Sequence, residues 1–167
     1  MRNITYIKAA LTGVLMGAPA FAADLDGCWT RAYDKDHLMG QPGQVVEKIM
    51  FGAFPGADGT SATADMVVVA ANQGHAASQG LGGQKLVQFL LCYADKTAKA
   101  GWRCAVECDG GSLEITRLDE DMLEFRTDYL LIGNTDGCGG ALDIAEAPGQ
   151  FVTYRLYRPS GPHCGWE

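Results

Sequence analysis

Past residue 22, no stretch of the chain keeps a 3.6-residue apolar period for three turns; it breaks into eight short runs cut by Gly, Pro and Asp clusters. The runs cover 28–33, 44–54, 63–72, 86–94, 102–108, 113–118, 122–132 and 151–158. In the seventh, Leu123, Phe125, Thr127 and Tyr129 share one face while Glu124, Arg126 and Asp128 share the other. Trp102, Cys104, Val106 and Cys108 likewise oppose Arg103 and Glu107, and Val152, Tyr154 and Leu156 oppose Thr153 and Arg155. A period of two is the mark of a half-buried strand. Residues 66–71 are apolar on both faces, as in a strand covered on both sides or facing a partner.

Short, turn-rich connections at 95–101, 109–111 and 119–121 make consecutive strands pair as a meander. Three connections are longer. Residues 34–43 suit one helical turn, with Asp34 as N-cap and Pro42-Gly43 as a stop. Residues 73–84 are rich in Gly, Ala and Ser and read as mobile, and 134–149 read as a loop with a short helix over 141–147. Eight strands in meander order either leave two edges open or close on themselves, and closure removes the unpaired backbone groups. The expected fold is all-β: an antiparallel up-and-down barrel of about eight strands with one or two short helical turns. A two-sheet sandwich is the alternative.

Met1, Arg2 and Lys8 precede an uncharged run that closes on Ala20-Phe21-Ala22, the pattern of a cleavable export signal. Residues 1–22 are read as that signal and 23–167 as a single disulfide-stapled domain, with a periplasmic or secreted location. Leu25-Asp26-Gly27-Cys28 is not read as a lipid-attachment site, because Asp26 stands where a small uncharged residue is required. No later run approaches the length of a membrane-spanning helix, so no membrane span is expected. The leader takes two of the 13 basic residues and none of the 20 acids, leaving the remainder at −9. So acidic a surface repels phosphate backbones, and nucleic acid is not an expected partner.

All six cysteines follow the leader, an even count that reads as disulfides in an exported chain. If 86–94 and 102–108 form a hairpin turning near Ala98, Cys92 lies opposite Cys104. Cys108 beside Asp109-Gly110-Gly111 is matched with Cys138 in the Gly-rich segment 136–140, which leaves Cys28 with Cys164, joining the first strand to the tail.

Gly27-Cys28-Trp29 at the start of the first strand resembles the G-x-W signature of lipocalins and related calycin barrels. That resemblance implies that Trp29 plugs the closed end of the barrel beneath a basic residue near the last strand, here Arg155 or Arg158. The chain departs from the family in its six cysteines, in a long insertion after the first strand and in lacking a long helix after the last. The overall pattern is also similar to that of uncharacterised exported proteins of alphaproteobacteria, a likeness that implies no activity.

Catalytic signatures are missing: the chain has no G-x-S-x-G, H-E-x-x-H or phosphate-binding Gly loop. Ser78 follows His75 by three residues, in a segment too loose in sequence to hold a nucleophile against its base. His37 with Met39, and His163 with Cys164, are soft donor pairs suited to copper, but a packing role explains Met39 better and a disulfide explains Cys164 better. Asn134, Asp136, Asp143 and Asp109 offer oxygens without the alternation of a calcium loop. The acidic triplet 119–121 is read as a solvated hairpin tip. Neither a metal nor a cofactor is expected, and no catalytic residue is assigned.

The resemblance to lipocalins at Gly27-Cys28-Trp29 implies the expected function, a non-catalytic binding module for a small apolar or amphipathic ligand. Trp29, Tyr33, Trp102, Tyr129 and Tyr154 are the candidate ligand-binding residues, and the chain is expected to be a monomer. The alternative is a protein-binding inhibitor or envelope assembly factor, presenting the loop 73–84.

Overall fold

The computed structural model describes residues 24–133, 140–161 and 164. Nine strands and two short helices follow one another: β1 (Gly27–Ala32), α1 (Lys35–Gly40), β2 (Val46–Pro55), β3 (Ser61–Ala70), α2 (Gly74–Ser78), β4 (Lys85–Ala94), β5 (Trp102–Ala105), β6 (Gly111–Leu118), β7 (Met122–Ile132), β8 (Leu142–Asp143) and β9 (Val152–Tyr157). Strands β1 to β7 pair in chain order, β9 joins β7 to β1, and every neighbour is antiparallel. The result is a closed eight-stranded barrel with β8 as an extra strand on β7, which excludes the sandwich.

Alternation decides what the barrel contains. Trp29, Phe51, Met66 and Gln88 form one cross-strand row on the inner face, and Trp102 with Ile115 and Phe125 with Tyr154 supply others. Trp29, Phe51, Met66, Leu90, Phe125 and Tyr154 are fully buried, so side chains fill the interior as in other small barrels. Two inner polar atoms, Trp29 Nε1 and Gln88 Oε1, are buried with no hydrogen-bond partner among the described residues.

The two ends differ. At one, tight turns join β2 to β3, β4 to β5 and β6 to β7, organised by Asp58, Asp95 and Asp119, whose carboxylates accept from N–H groups two or three residues on. At the other, the long connections fold over the opening. Asp34 caps α1 by accepting from His37 N, as its sequence position predicts. Residues 73–84, read as mobile, hold α2 with Ala76 fully buried, and His75 Nε2 lies 2.7 Å from the Asp143 carbonyl. The small residues there permit close approach: a Cβ on Gly74 or Gly82 would crowd residues 43–45 or Asn72.

The helix expected over 141–147 is absent; Leu142–Asp143 pair with Leu131 and Ile132 instead. Strand β9 leaves β7 after Thr127, so the far half of β7 has an open edge that β8 occupies, carrying Leu142, Ile144 and Ala145 into the core.

Tyr129 was expected to share a face with Leu123, Phe125 and Thr127. A bulge intervenes: Ser112 pairs with Tyr129 but Glu114 with Arg126, so β7 carries one extra residue. The Thr127 hydroxyl fixes the bulge, donating to Ser112 O and accepting from Tyr129 N. Leu130 and Ile132 are thereby turned inward and Tyr129 outward. The fifth strand also stops at Ala105 rather than 108, since Cys108 has a positive φ of 59° in the turn to β6.

Two disulfides match the expected pairing, Cys28 with Cys164 and Cys92 with Cys104. The second is a directly opposed cross-strand pair with Cα atoms 3.9 Å apart. Cys108 is also disulfide-bonded, and Cys138, its expected partner, lies outside the described residues.

Candidate functional site

The barrel closes weakly at one seam. Strand β9 pairs with β7 through six successive positions but with β1 through one, Thr30 opposite Tyr157. Beyond that pair β1 stays with β2, where Arg31 faces Ile49 and Tyr33 N donates to Glu47 O, while β9 stays with β7. The strands diverge and leave a cleft of about 290 Å³ lined by Arg31, Tyr33, Glu124, Thr153, Arg155 and Tyr157.

Arg31 is the centre of this cleft. Its guanidinium carbon lies 5.3 Å from the Tyr33 ring centre and 5.4 Å from that of Tyr157, an arrangement in which each ring face attracts the cation. Among the described residues no carboxylate forms an ion pair with it. Tyr33 is held from behind: its ring stacks on His37 at 4.8 Å, His37 Nε2 lies 2.9 Å from Gln44 Oε1, and Gln44 Nε2 donates to Val46 O. Helix α1 therefore sets one wall of the cleft. Burial pushes the Tyr33 hydroxyl up from its ordinary range against the opposing pull of Arg31, so it stays protonated and able to donate.

Arg155 is already occupied. Its Nε and a terminal nitrogen both donate to Glu124 Oε2, at 3.0 and 2.8 Å, and Thr116 Oγ1 donates to the other carboxylate oxygen. The Arg155 hydrogen bond, against some burial, holds Glu124 below its ordinary value, so the pair stays charged and leaves Arg31 as the cleft's uncommitted cation.

A second cleft of about 440 Å³ lies at the end closed by tight turns, beside the Cys28–Cys164 disulfide, Phe54 and Pro159. Among the described residues its one cation, Arg158, is committed: the guanidinium lies over Trp29 at 4.8 Å and donates to Asp26 O at 3.1 Å.

Of the residues singled out in sequence, Tyr33 lines the seam cleft. Trp29, Trp102 and Tyr154 are buried inside the barrel, where the Tyr154 ring lies tilted against Phe125 at 5.3 Å and its hydroxyl donates to Ile144 O. Tyr129 lies on the outer surface. Sequence reasoning did not find Arg31 and Tyr157, and it named Arg155 only as a candidate cation over Trp29, a place that Arg158 takes. Their signal was present: if the first and last strands are neighbours, basic and aromatic residues at their facing ends meet.

Among the described residues no group of three His, Cys, Asp or Glu side chains converges as metal ligands. Asp143 Oδ1 instead accepts from Leu130 N and Ala145 N, while Asn134 and Asp136 lie outside the described residues. No protein-family model matches the chain, and neither does any curated protein.

Proposed function

We propose that the chain is a non-catalytic binding module, active outside the cytoplasm, whose seam cleft takes a small anionic amphipathic ligand. A carboxylate or similar head group pairs with Arg31, and the apolar body lies along Tyr33 and Tyr157. The observation that carries this reading is an arginine held between two tyrosine rings with no carboxylate paired to it, on a chain of net charge −7. A local cation against an acidic background selects for anions at short range, where screening is weakest. The volume of about 290 Å³ suits a short-chain ligand and lies at the low end for small-molecule sites.

The resemblance to lipocalins and calycins supports a ligand-binding role. Gly27, Trp29 and Arg158 stand together as that resemblance implies, with the cation over the tryptophan at the end joined by tight turns. The interior that lipocalins use for ligands is filled here by aromatic side chains, which favours the seam over the centre.

Calorimetric titration with octanoate, with octanol as the neutral match, tests the proposal. Octanoate is expected to bind and octanol not to, and Arg31→Gln to weaken octanoate binding at least tenfold, about 1.4 kcal/mol. Equal binding of both probes, or an Arg31→Gln variant that binds like the parent, excludes the seam as an anion site.

A further inference from the structure

Two strand edges face each other across the seam. Tyr33 N donates to Glu47 O, so the backbone groups of Trp29, Arg31 and Tyr33 turn to β2, and those of Thr30 and Ala32 turn to β9. Arg158 N donates to Asp121 O, so in β9 the groups of Tyr154 and Leu156 turn to β7, and those of Thr153, Arg155 and Tyr157 turn to β1. Thr30 and Tyr157 meet as the one ladder pair. Continued in that register, Ala32 stands level with Arg155, yet among the described residues no ladder pair joins them. Nor does any described loop supply a backbone partner to Ala32, Thr153 or Arg155.

The groups left over are those that a peptide backbone satisfies. Thr153 O and Arg155 N lie two residues apart on one edge, about 7 Å along the strand. At that spacing a single residue of a parallel partner bonds to both. Both residues are exposed, and both line the cleft that holds Arg31. A hydrocarbon laid along this edge strips water from the two groups and returns no hydrogen bond, whereas an amide replaces the water. Open edges elsewhere capture extended peptides through the same main-chain bonds.

We propose that the ligand of the seam is the C-terminal end of an extended peptide, an inference that rests on the anion reading of the cleft. The peptide enters from the open end and runs parallel to β9. Its penultimate residue donates N–H to Thr153 O and accepts from Arg155 N. The terminal residue then stands level with Arg155, and its carboxylate level with Arg31, which the same register sets beside Leu156. Charge fixes the direction, since a chain running the other way brings an ammonium or a neutral amide to Arg31. The Thr30–Tyr157 pair closes the seam just beyond, so a chain terminus fits where an internal segment has no way through. The terminal side chain lies along the rings of Tyr33 and Tyr157, which favours an apolar residue there.

Calorimetric titration with acetyl-alanyl-alanyl-leucine tests this against three comparisons: its C-terminal amide, the acid N-methylated at the second alanine, and octanoate. The free acid is expected to bind roughly tenfold or more tightly than octanoate, and the amide and the N-methylated acid roughly tenfold or more weakly than the acid. Hydrogen exchange at the Arg155 amide is expected to slow roughly tenfold or more with the acid and not with octanoate. A free acid no tighter than octanoate, or an amide or N-methylated acid that matches it, overturns the peptide assignment, while octanoate binding keeps the anion site. Failure of the acid and octanoate alike removes the anion site and the inference with it.

Discussion

The guanidinium of Arg158 lies 4.8 Å from the ring centre of Trp29, joining the residue that follows the last strand to the core of the first. The contact spans the barrel's closure, where β1 and β9 share one ladder pair, and the Cys28–Cys164 disulfide lies beside it. Three kinds of interaction therefore meet where the backbone ladder is thinnest: cation on ring, guanidinium on the Asp26 carbonyl, and a covalent bond.

Gly27 makes room for that contact. Its φ of +132° is rarely adopted by other residues, and a Cβ there would collide with the Arg158 guanidinium. Gly27→Ala is expected to cost roughly 1–3 kcal/mol in urea unfolding. A midpoint matching the parent's would show that Arg158 moves aside freely and does not secure the closure.

Inside the barrel, Gln88 Oε1 has no partner, while its Nε2 donates to Phe89 O at 3.2 Å. A buried, half-satisfied amide destabilises relative to an apolar side chain of similar length. Gln88→Met is expected to raise unfolding stability by about 1 kcal/mol. A loss of stability instead would mean that the amide finds a partner inside the barrel.

The two described disulfides differ in access. Cys92 and Cys104 are buried, whereas Cys28 and Cys164 line a surface cleft. Mild reductant on the folded protein, followed by alkylation and peptide mapping, is expected to label Cys28 and Cys164 well before Cys92 and Cys104. The 136-residue separation makes the first bond worth up to about 5 kcal/mol against about 3 for the 12-residue one, so its loss lowers Tm more. Simultaneous labelling of all four would show that reduction follows global unfolding.

Two turn carboxylates set an acid limit. Asp58 is held at about 2 by Thr60 and Ser61, and Asp95 at about 2 by the Thr97 hydroxyl and then Arg103, both from an ordinary 3.8. Each folded value lies below the unfolded one, so the unfolded chain binds more protons and stability is lost as the pH is lowered. The contribution is complete above about pH 4 and is lost as pH drops through about 2. Tm is expected to decline across that window, and more gently in an Asp58→Asn, Asp95→Asn double variant. Parallel declines in parent and variant would remove these groups as the cause.

All eight barrel strands and both described disulfides were legible in the chain, because a period of two and short polar turns determine pairing almost locally. What escaped were the places where one strand deviates from its own period. Tyr129 faces outward because the Thr127 hydroxyl stabilises an extra residue, an effect that alternation alone does not encode. Residues 141–147 favour a helix by their alanines, yet the open edge of β7 takes Leu142 and Asp143 as a strand, a tertiary opportunity that local propensity does not register. The seam cleft was half legible: Tyr33 was named, but Arg31 and Tyr157 acquire meaning only from the register in which β1 and β9 meet and part.

Backbone amide shifts during an octanoate titration test the central claim most directly. The seam account predicts saturable shifts centred on Arg31, Tyr33, Thr153 and Tyr157, abolished by Arg31→Gln. Saturable shifts centred instead on Trp29, Trp102 and Tyr154, or along Val87 to Tyr93, or none anywhere, would contradict it.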